Sequence, residues 1–153
     1  MSRFTRDTIL HKKQVSDIGQ LFINELKNRL DHHDDSKLRG DEQKLFESVL
    51  EDADACDYGS KEYSDLKSKL KPALILHYGC NRHHPEHFID GLAGMNLIDL
   101  LEMFIDWQAA TERHKDDDIH ESIEINAKRY DIPDALVAIF HNTAKDFFLG
   151  KED

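Results

Sequence analysis

Apolar residues recur at intervals of three and four along most of the chain, and β-branched residues never form an alternating run. Three prolines and seven glycines leave long stretches without a helix breaker. The spacing predicts helices over residues 5–30, 42–55, 62–76, 97–113, 118–130 and from 133 onward. We therefore predict an all-α fold, a single compact domain of about six to seven helices over residues 1–153, with a frayed tail at 146–153.

The first predicted helix is the longest and is amphipathic. Its apolar residues predict one face that packs against neighbouring helices; they are Ile9, Val15, Ile18, Leu21, Phe22, Leu26 and Leu30. The segment HYGCNRHHPEHF at residues 77–88 lacks this spacing. Gly79 and Pro85 predict an irregular connection there, in which Pro85 suits the first turn of a short helix.

The formal net charge of −11 limits the class of partner. An acidic surface repels nucleic-acid phosphates, so we do not expect duplex binding.

No stretch has the roughly 20 apolar residues of a membrane span, and the start MSRFTRDTILHKK lacks the apolar region of a secretory signal. Two cysteines, Cys56 and Cys80, do not indicate a disulfide framework. The expected location is therefore the reducing cytoplasm.

The strongest chemical signal is the segment HDDSK at residues 33–37, in a chain with ten histidines. Adjacent imidazole and carboxylate groups suit divalent first-row metals. Taken alone, the pair also fits a solvated helix end, where exposed His and Asp are common. The choice between these two interpretations depends on whether matching ligands occur elsewhere in the chain.

HDDSK resembles the H-D-x-G/S-K signature of the HD-domain superfamily of metal-dependent phosphohydrolases. In that family a histidine on an earlier helix, the His-Asp pair and an aspartate on a later helix bind the metal. The resemblance implies a helical domain of the HD type, with His11, His33, Asp34 and Asp106 as metal ligands. Asp106 lies among apolar residues in LLEMFIDWQAA, where an acid is costly to bury unless it is paired or metal-bound.

The segment NRHHPEH at residues 81–87 resembles the paired-histidine segment of some HD-domain branches, including the HD-GYP type of cyclic-dinucleotide phosphodiesterase. This likeness implies His83 and His84 as candidate ligands of a further metal, with at least one of them expected to bind a metal or contact a phosphate. The G-Y-P signature is absent, so that activity is not carried over. Together, HDxSK, NRHHPE and EMxxDW also resemble a family of small uncharacterised proteins from bacteria and their phages, which implies no substrate.

These likenesses imply a divalent-metal-dependent phosphohydrolase that acts on a small phosphate ester, with a nucleotide as the expected substrate and metal-activated water as the nucleophile. One or two ions are expected, chosen from Mn, Fe, Co, Ni and Zn. Glu86, Glu102 and Lys37 are the candidate catalytic groups. Lys37 and Arg82 are the candidate phosphate contacts.

Other interpretations stay open at this point. A histidine-rich shell also suits a di-iron centre that oxidises its substrate with oxygen. A small acidic helical protein of phage type could instead bind or inhibit a host protein without catalysis. His77, Cys80 and His83 have an H-x2-C-x2-H spacing that could bind zinc alone. A homodimer is compatible with a helical domain of this type.

Overall fold

Every regular element that the computed structural model describes, in residues 1–53, 68–112 and 118–149, is helical. The all-α prediction is therefore confirmed. The α-helices are α1 (Arg3–Asp31), α2 (Gly40–Ala53), α3 (Lys71–Cys80), α4 (Leu97–Thr111), α5 (Ile119–Tyr130) and α6 (Asp134–Ala144). Short 3-10 turns lie at Asp35–Leu38, Pro85–His87 and Gly91–Gly94, and a π-helical turn at Lys145–Leu149 follows α6. None of the described helices is both long and apolar enough to cross a bilayer.

Side chains cap the starts of three of the described helices. The Ser2 hydroxyl accepts a hydrogen bond from the Thr5 amide at the start of α1. Asn96 and Asp99 form a reciprocal capping box at the start of α4. Asp118 caps α5. Because each cap satisfies amides that have no partner inside the helix, these polar residues determine where the helices begin.

The third helix continues further than its sequence pattern predicts. It runs from Lys71 to Cys80, so residues 77–80 are helical. The prediction of an irregular connection over residues 77–88 is therefore wrong for its first four residues. Pro72 lies in the first turn, where its missing amide hydrogen breaks no helical bond. Gly79 lies near the end of the helix, where it is tolerated. Residues 62–67 of the predicted helix and 150–153 of the predicted tail lie outside the described residues.

Contacts within the chain define two units, residues 1–33 and 34–153. The first unit is essentially α1, a helix of 29 residues with no buried side chain. Val15 and Ile18, at the centre of its apolar stripe, are 56% and 57% exposed. A single helix has no second surface within its own unit to bury this stripe against, so the predicted packing of the stripe against neighbouring helices stays a prediction. The assignment of residues 1–153 to one domain stays a prediction.

The hydrophobic core of the second unit lies between α4, α5 and α6. Phe104 stacks on Phe140 with ring centroids 5.1 Å apart, and Trp107 meets Phe140 edge-on at 5.6 Å. The buried residues of this core are Met103, Phe104, Trp107, Ile119, Ile123, Ile132, Phe140 and Ala144. α4 is therefore held rigidly along one side.

A second area of packing in this unit joins α2 to α3 and to the 3-10 turn at residues 35–38. Ala73 on α3 is fully buried, and Val49 on α2 is 5% exposed. This packing sets the end of α3 beside the segment that begins at Asp34. Two chain segments rich in histidine and aspartate are thus brought together by ordinary helix packing.

Replacement of Phe104 by alanine should lower the free energy of unfolding by about 3–5 kcal/mol, since it removes a stacked ring that is only 2% exposed. Leu97→Ala, on the same helix at a residue that is 73% exposed, is the matched control and should change it by less than about 0.5 kcal/mol. Urea unfolding followed by circular dichroism measures both. Equal losses in the two variants would contradict the described core.

Candidate metal centre

Asp34 begins the second unit in a left-handed backbone conformation, with φ 59° and ψ 13°. Aspartate tolerates this conformation better than most residues with a Cβ. One of its oxygens, Oδ2, accepts a hydrogen bond from Lys37 Nζ at 2.6 Å. The other, Oδ1, lies 3.3 Å from His77 Nε2 and 3.5 Å from His83 Nε2. The turn therefore directs one oxygen at an ammonium group and the other at two imidazoles.

His77 lies near the end of α3 and is 2% exposed. Its Nδ1 is 2.8 Å from Oε1 of Glu42, a buried carboxylate on α2. Its Nε2 is 2.8 Å from His84 Nε2. Burial lowers the pKa of His77, and the nearby Lys37 charge lowers it further. His77 is therefore a neutral imidazole at ordinary pH.

His83 and His84 lie in the short non-helical segment between α3 and the turn that Pro85 opens. Their ring centroids are 4.1 Å apart, a closeness that adjacent residues on a helix would not reach. His83 is 2% exposed, and its Nδ1 lies 3.2 Å from Oε1 of Glu102 on α4. Burial, with His83 and then His77 as further causes, lowers the pKa of His84 to about 3.

Four side chains converge within the second unit. Asp34, His77, His83 and His84 each offer one ligand atom, and these atoms all lie within 4.8 Å of one another. His83 and Asp106, the latter on α4, also offer ligand atoms within 4.8 Å. Neutral imidazoles and carboxylates are the donors that Zn, Fe, Co, Ni and Mn accept. The donor set therefore fits a divalent transition metal.

The two remaining predicted ligands lie in the first unit. His11 is exposed on α1. His33 is the last residue of that unit, so only a peptide bond separates it from Asp34. His32, the neighbour of His33, is exposed and has its Nδ1 2.8 Å from the Asn28 carbonyl oxygen. Metal ligation by His11 and His33 stays a prediction.

A family profile aligns with residues 1–148, a range that includes all the candidate ligands. The chain belongs to the DUF5662 family. That family is described as one of unknown function. Searches of curated proteins and of solved structures found no match. The side chains of this DUF5662 chain are therefore the evidence for its function.

Arg82, a predicted phosphate contact, has a structural partner in the DUF5662 chain. Its Nε and Nη2 donate to the two carboxylate oxygens of Asp99, at 3.1 and 2.9 Å. Asp99 is completely buried, so it needs this cation. The guanidinium also lies 4.9 Å from the ring centroid of Phe88. This pair links the histidine segment to the start of α4.

Glu86, a predicted catalytic group, is bound by side chains of α5. Its carboxylate accepts a hydrogen bond from Arg129 Nη2 at 2.7 Å and from the Tyr130 hydroxyl at 3.2 and 3.3 Å. Burial and then the Glu86 charge raise the pKa of Tyr130, which keeps its hydroxyl protonated as a donor. Among the described residues, Glu86 belongs to neither group of candidate ligand atoms.

Sequence reasoning on this DUF5662 chain did not place His77 at the site, because HYGC was interpreted as an irregular segment. No local pattern marked it, because its place at the site depends on α3 continuing to Cys80. Cys80 is exposed and contributes no atom to the described ligand groups, so the H-x2-C-x2-H interpretation is wrong for this residue. Cys56 lies outside the described residues.

Replacement of His77 by alanine should weaken the binding of divalent metal by more than about 100-fold, beyond the 10–100-fold loss typical of residues that only support a ligand. His87→Ala is the matched control, since the Nδ1 of His87 bonds to the Tyr78 carbonyl oxygen instead. Calorimetric titration of the metal-free protein with Zn²⁺ measures both. Wild-type affinity in His77→Ala would remove this residue from the ligand set.

Proposed function

We propose that this DUF5662 protein is a divalent-metal-dependent hydrolase of small phosphate esters, with nucleotides as its substrate class. The observation that supports the proposal is the convergence of Asp34, His77, His83 and His84 on one small volume. Two of the three imidazoles are almost fully buried. Burying this many ionisable groups together is costly unless they serve a charge or a ligand.

One or two cations would be held by these residues. Asp34, His77, His83 and His84 would supply the first set of ligands, and Asp106 would join His83 for a second ion. His33 and His11 stay sequence-based candidates for further ligands. A bound divalent cation supplies polarisation of a phosphoryl oxygen and lowers the pKa of a coordinated water.

The neighbouring charged groups have separate roles in this proposal. Lys37 holds the Asp34 carboxylate through a 2.6 Å bond and is 39% exposed, so its ammonium group remains accessible to a phosphate. Glu102 lies beside His83 Nδ1, where it orients the ring and can accept a proton. A chain with a net charge of −11 needs such local positive charge to attract an anionic substrate. The proposal includes a cytoplasmic location.

Asp34→Asn tests the proposal with little change in shape, because asparagine also tolerates the left-handed backbone at this position. The protein is prepared metal-free, reloaded separately with Mn²⁺, Fe²⁺, Co²⁺, Ni²⁺ and Zn²⁺, and assayed for phosphate release from a nucleotide panel. We expect metal-dependent turnover in the wild type and at least about a 100-fold loss of kcat/KM in Asp34→Asn, equivalent to ~2.7 kcal/mol.

Asp35→Asn is the control for this assay. Asp35 is the next residue in the chain, and its carboxylate pairs with Arg39 outside the ligand groups. It should retain wild-type turnover. No turnover with any of these metals, together with no bound metal, would remove the proposal. Oxygen-dependent turnover by an iron-loaded protein would instead indicate a di-iron oxidase, and a host protein captured equally by wild type and Asp34→Asn would indicate a binding function.

A further inference from the structure

The hydrogen bonds of Asn81 bear on whether His77 Nδ1 acts as a donor or as an acceptor. The Asn81 amide nitrogen carries two hydrogens. It lies 2.7 Å from Ser36 Oγ and 2.8 Å from the His77 carbonyl oxygen, and these two acceptors use both hydrogens. The same nitrogen is also 2.9 Å from His77 Nδ1. Both hydrogens already have these two acceptors, so this contact does not require a lone pair on His77 Nδ1.

The Glu42 carboxylate determines which nitrogen of His77 carries the hydrogen. Its Oε1 lies 2.8 Å from His77 Nδ1 and accepts a hydrogen bond from Ser36 Oγ at 3.1 Å. An ionised carboxylate only accepts hydrogen bonds. The contact with the imidazole is therefore satisfied only if Nδ1 carries the hydrogen. His77 Nε2, which faces Asp34 Oδ1 and His84, is then left with a lone pair.

We propose that Glu42 is a positioning residue for the metal centre. It fixes the His77 proton on Nδ1 and so presents the Nε2 lone pair to a cation, while Ser36 and Asn81 hold Glu42 and the ring in place. This inference rests on the proposed metal-dependent function. It gives a shared role to Ser36 of HDDSK and Asn81 of NRHHPE, which lie 45 positions apart and are joined by one hydrogen bond.

A second pair in the same unit repeats the arrangement. Glu102 Oε1 lies 3.2 Å from His83 Nδ1, and His83 Nε2 lies on the side of Asp34 Oδ1. Glu42 comes from α2 and Glu102 from α4, so two different helices each support one ligand with a carboxylate. A carboxylate behind a ligating histidine fixes its tautomer and raises its basicity as a ligand.

His84 is expected to differ from the other two histidines. Its Nε2 lies 2.8 Å from His77 Nε2. Since His77 Nε2 has no hydrogen in this arrangement, the hydrogen between the two rings belongs to His84 Nε2. The metal-free protein should therefore contain His77 and His83 as the Nδ1-protonated form and His84 as the Nε2-protonated form.

Long-range ¹H–¹⁵N correlation spectra of the metal-free full chain, labelled at histidine, report these tautomers directly. Glu42→Gln weakens the preference for a protonated Nδ1, because its amide can donate as well as accept. We expect a mixture of His77 tautomers in this variant. Titration with Zn²⁺ alone should show an affinity loss of about 10–100-fold.

Glu47→Gln is the matched control, at an exposed residue of the same helix whose carboxylate accepts a hydrogen bond from Gln43. It should leave both the His77 tautomer and the Zn²⁺ affinity unchanged. If Glu42→Gln fails to fold by circular dichroism, Ser36→Ala, which removes one hydrogen bond to Glu42, should give smaller shifts in the same direction.

A His77 proton on Nε2 in the wild type would overturn the inference. So would wild-type tautomer and Zn²⁺ affinity in Glu42→Gln. A wild type that has the expected tautomers but binds none of the divalent metals would overturn the proposed metal-dependent function and leave the proton placement intact.

Discussion

Two buried imidazoles face the same carboxylate oxygen in this protein, and the rest of the site depends on that contact. His77 and His83 are each 2% exposed, and both direct Nε2 at Asp34 Oδ1. A buried polar atom that lacks a partner costs about 1–3 kcal/mol. The carboxylates of Glu42 and Glu102 provide such a partner for Nδ1 of His77 and Nδ1 of His83, respectively. Polar side chains are thus stable at this place only as a connected network.

The second unit supports this network from two sides. Packing between α2 and α3 brings Glu42 to His77. The aromatic core on α4 fixes the helix that carries Glu102. Arg82 and Asp99 then tie the histidine segment to the start of the same helix. A site supported by helices in this way is held more precisely than one built on loops alone, which suits a metal that requires fixed ligand positions.

Helical periodicity and capping residues were sufficient to predict the helical class and most helix starts, because both depend on near neighbours. Asp34, His83 and Asp106 were found from local motifs. His77 was missed because a helix that continues past a predicted boundary changes which side chains share a face. Glu42 was missed because its role depends on a contact between residues 35 positions apart. The pattern on α1 was sufficient to predict a long amphipathic helix but not what its apolar stripe packs against, since burial depends on what surrounds a helix and not on the helix alone.

X-ray absorption at the metal edge of the Zn²⁺-loaded protein tests the central claim most directly, because it reports the ligands themselves. The ligand set predicts nitrogen and oxygen atoms at about 2.0–2.1 Å, with outer-shell scattering from the three imidazoles of His77, His83 and His84. A sulfur ligand at about 2.3 Å, or a shell of oxygens without imidazole scattering, would contradict it.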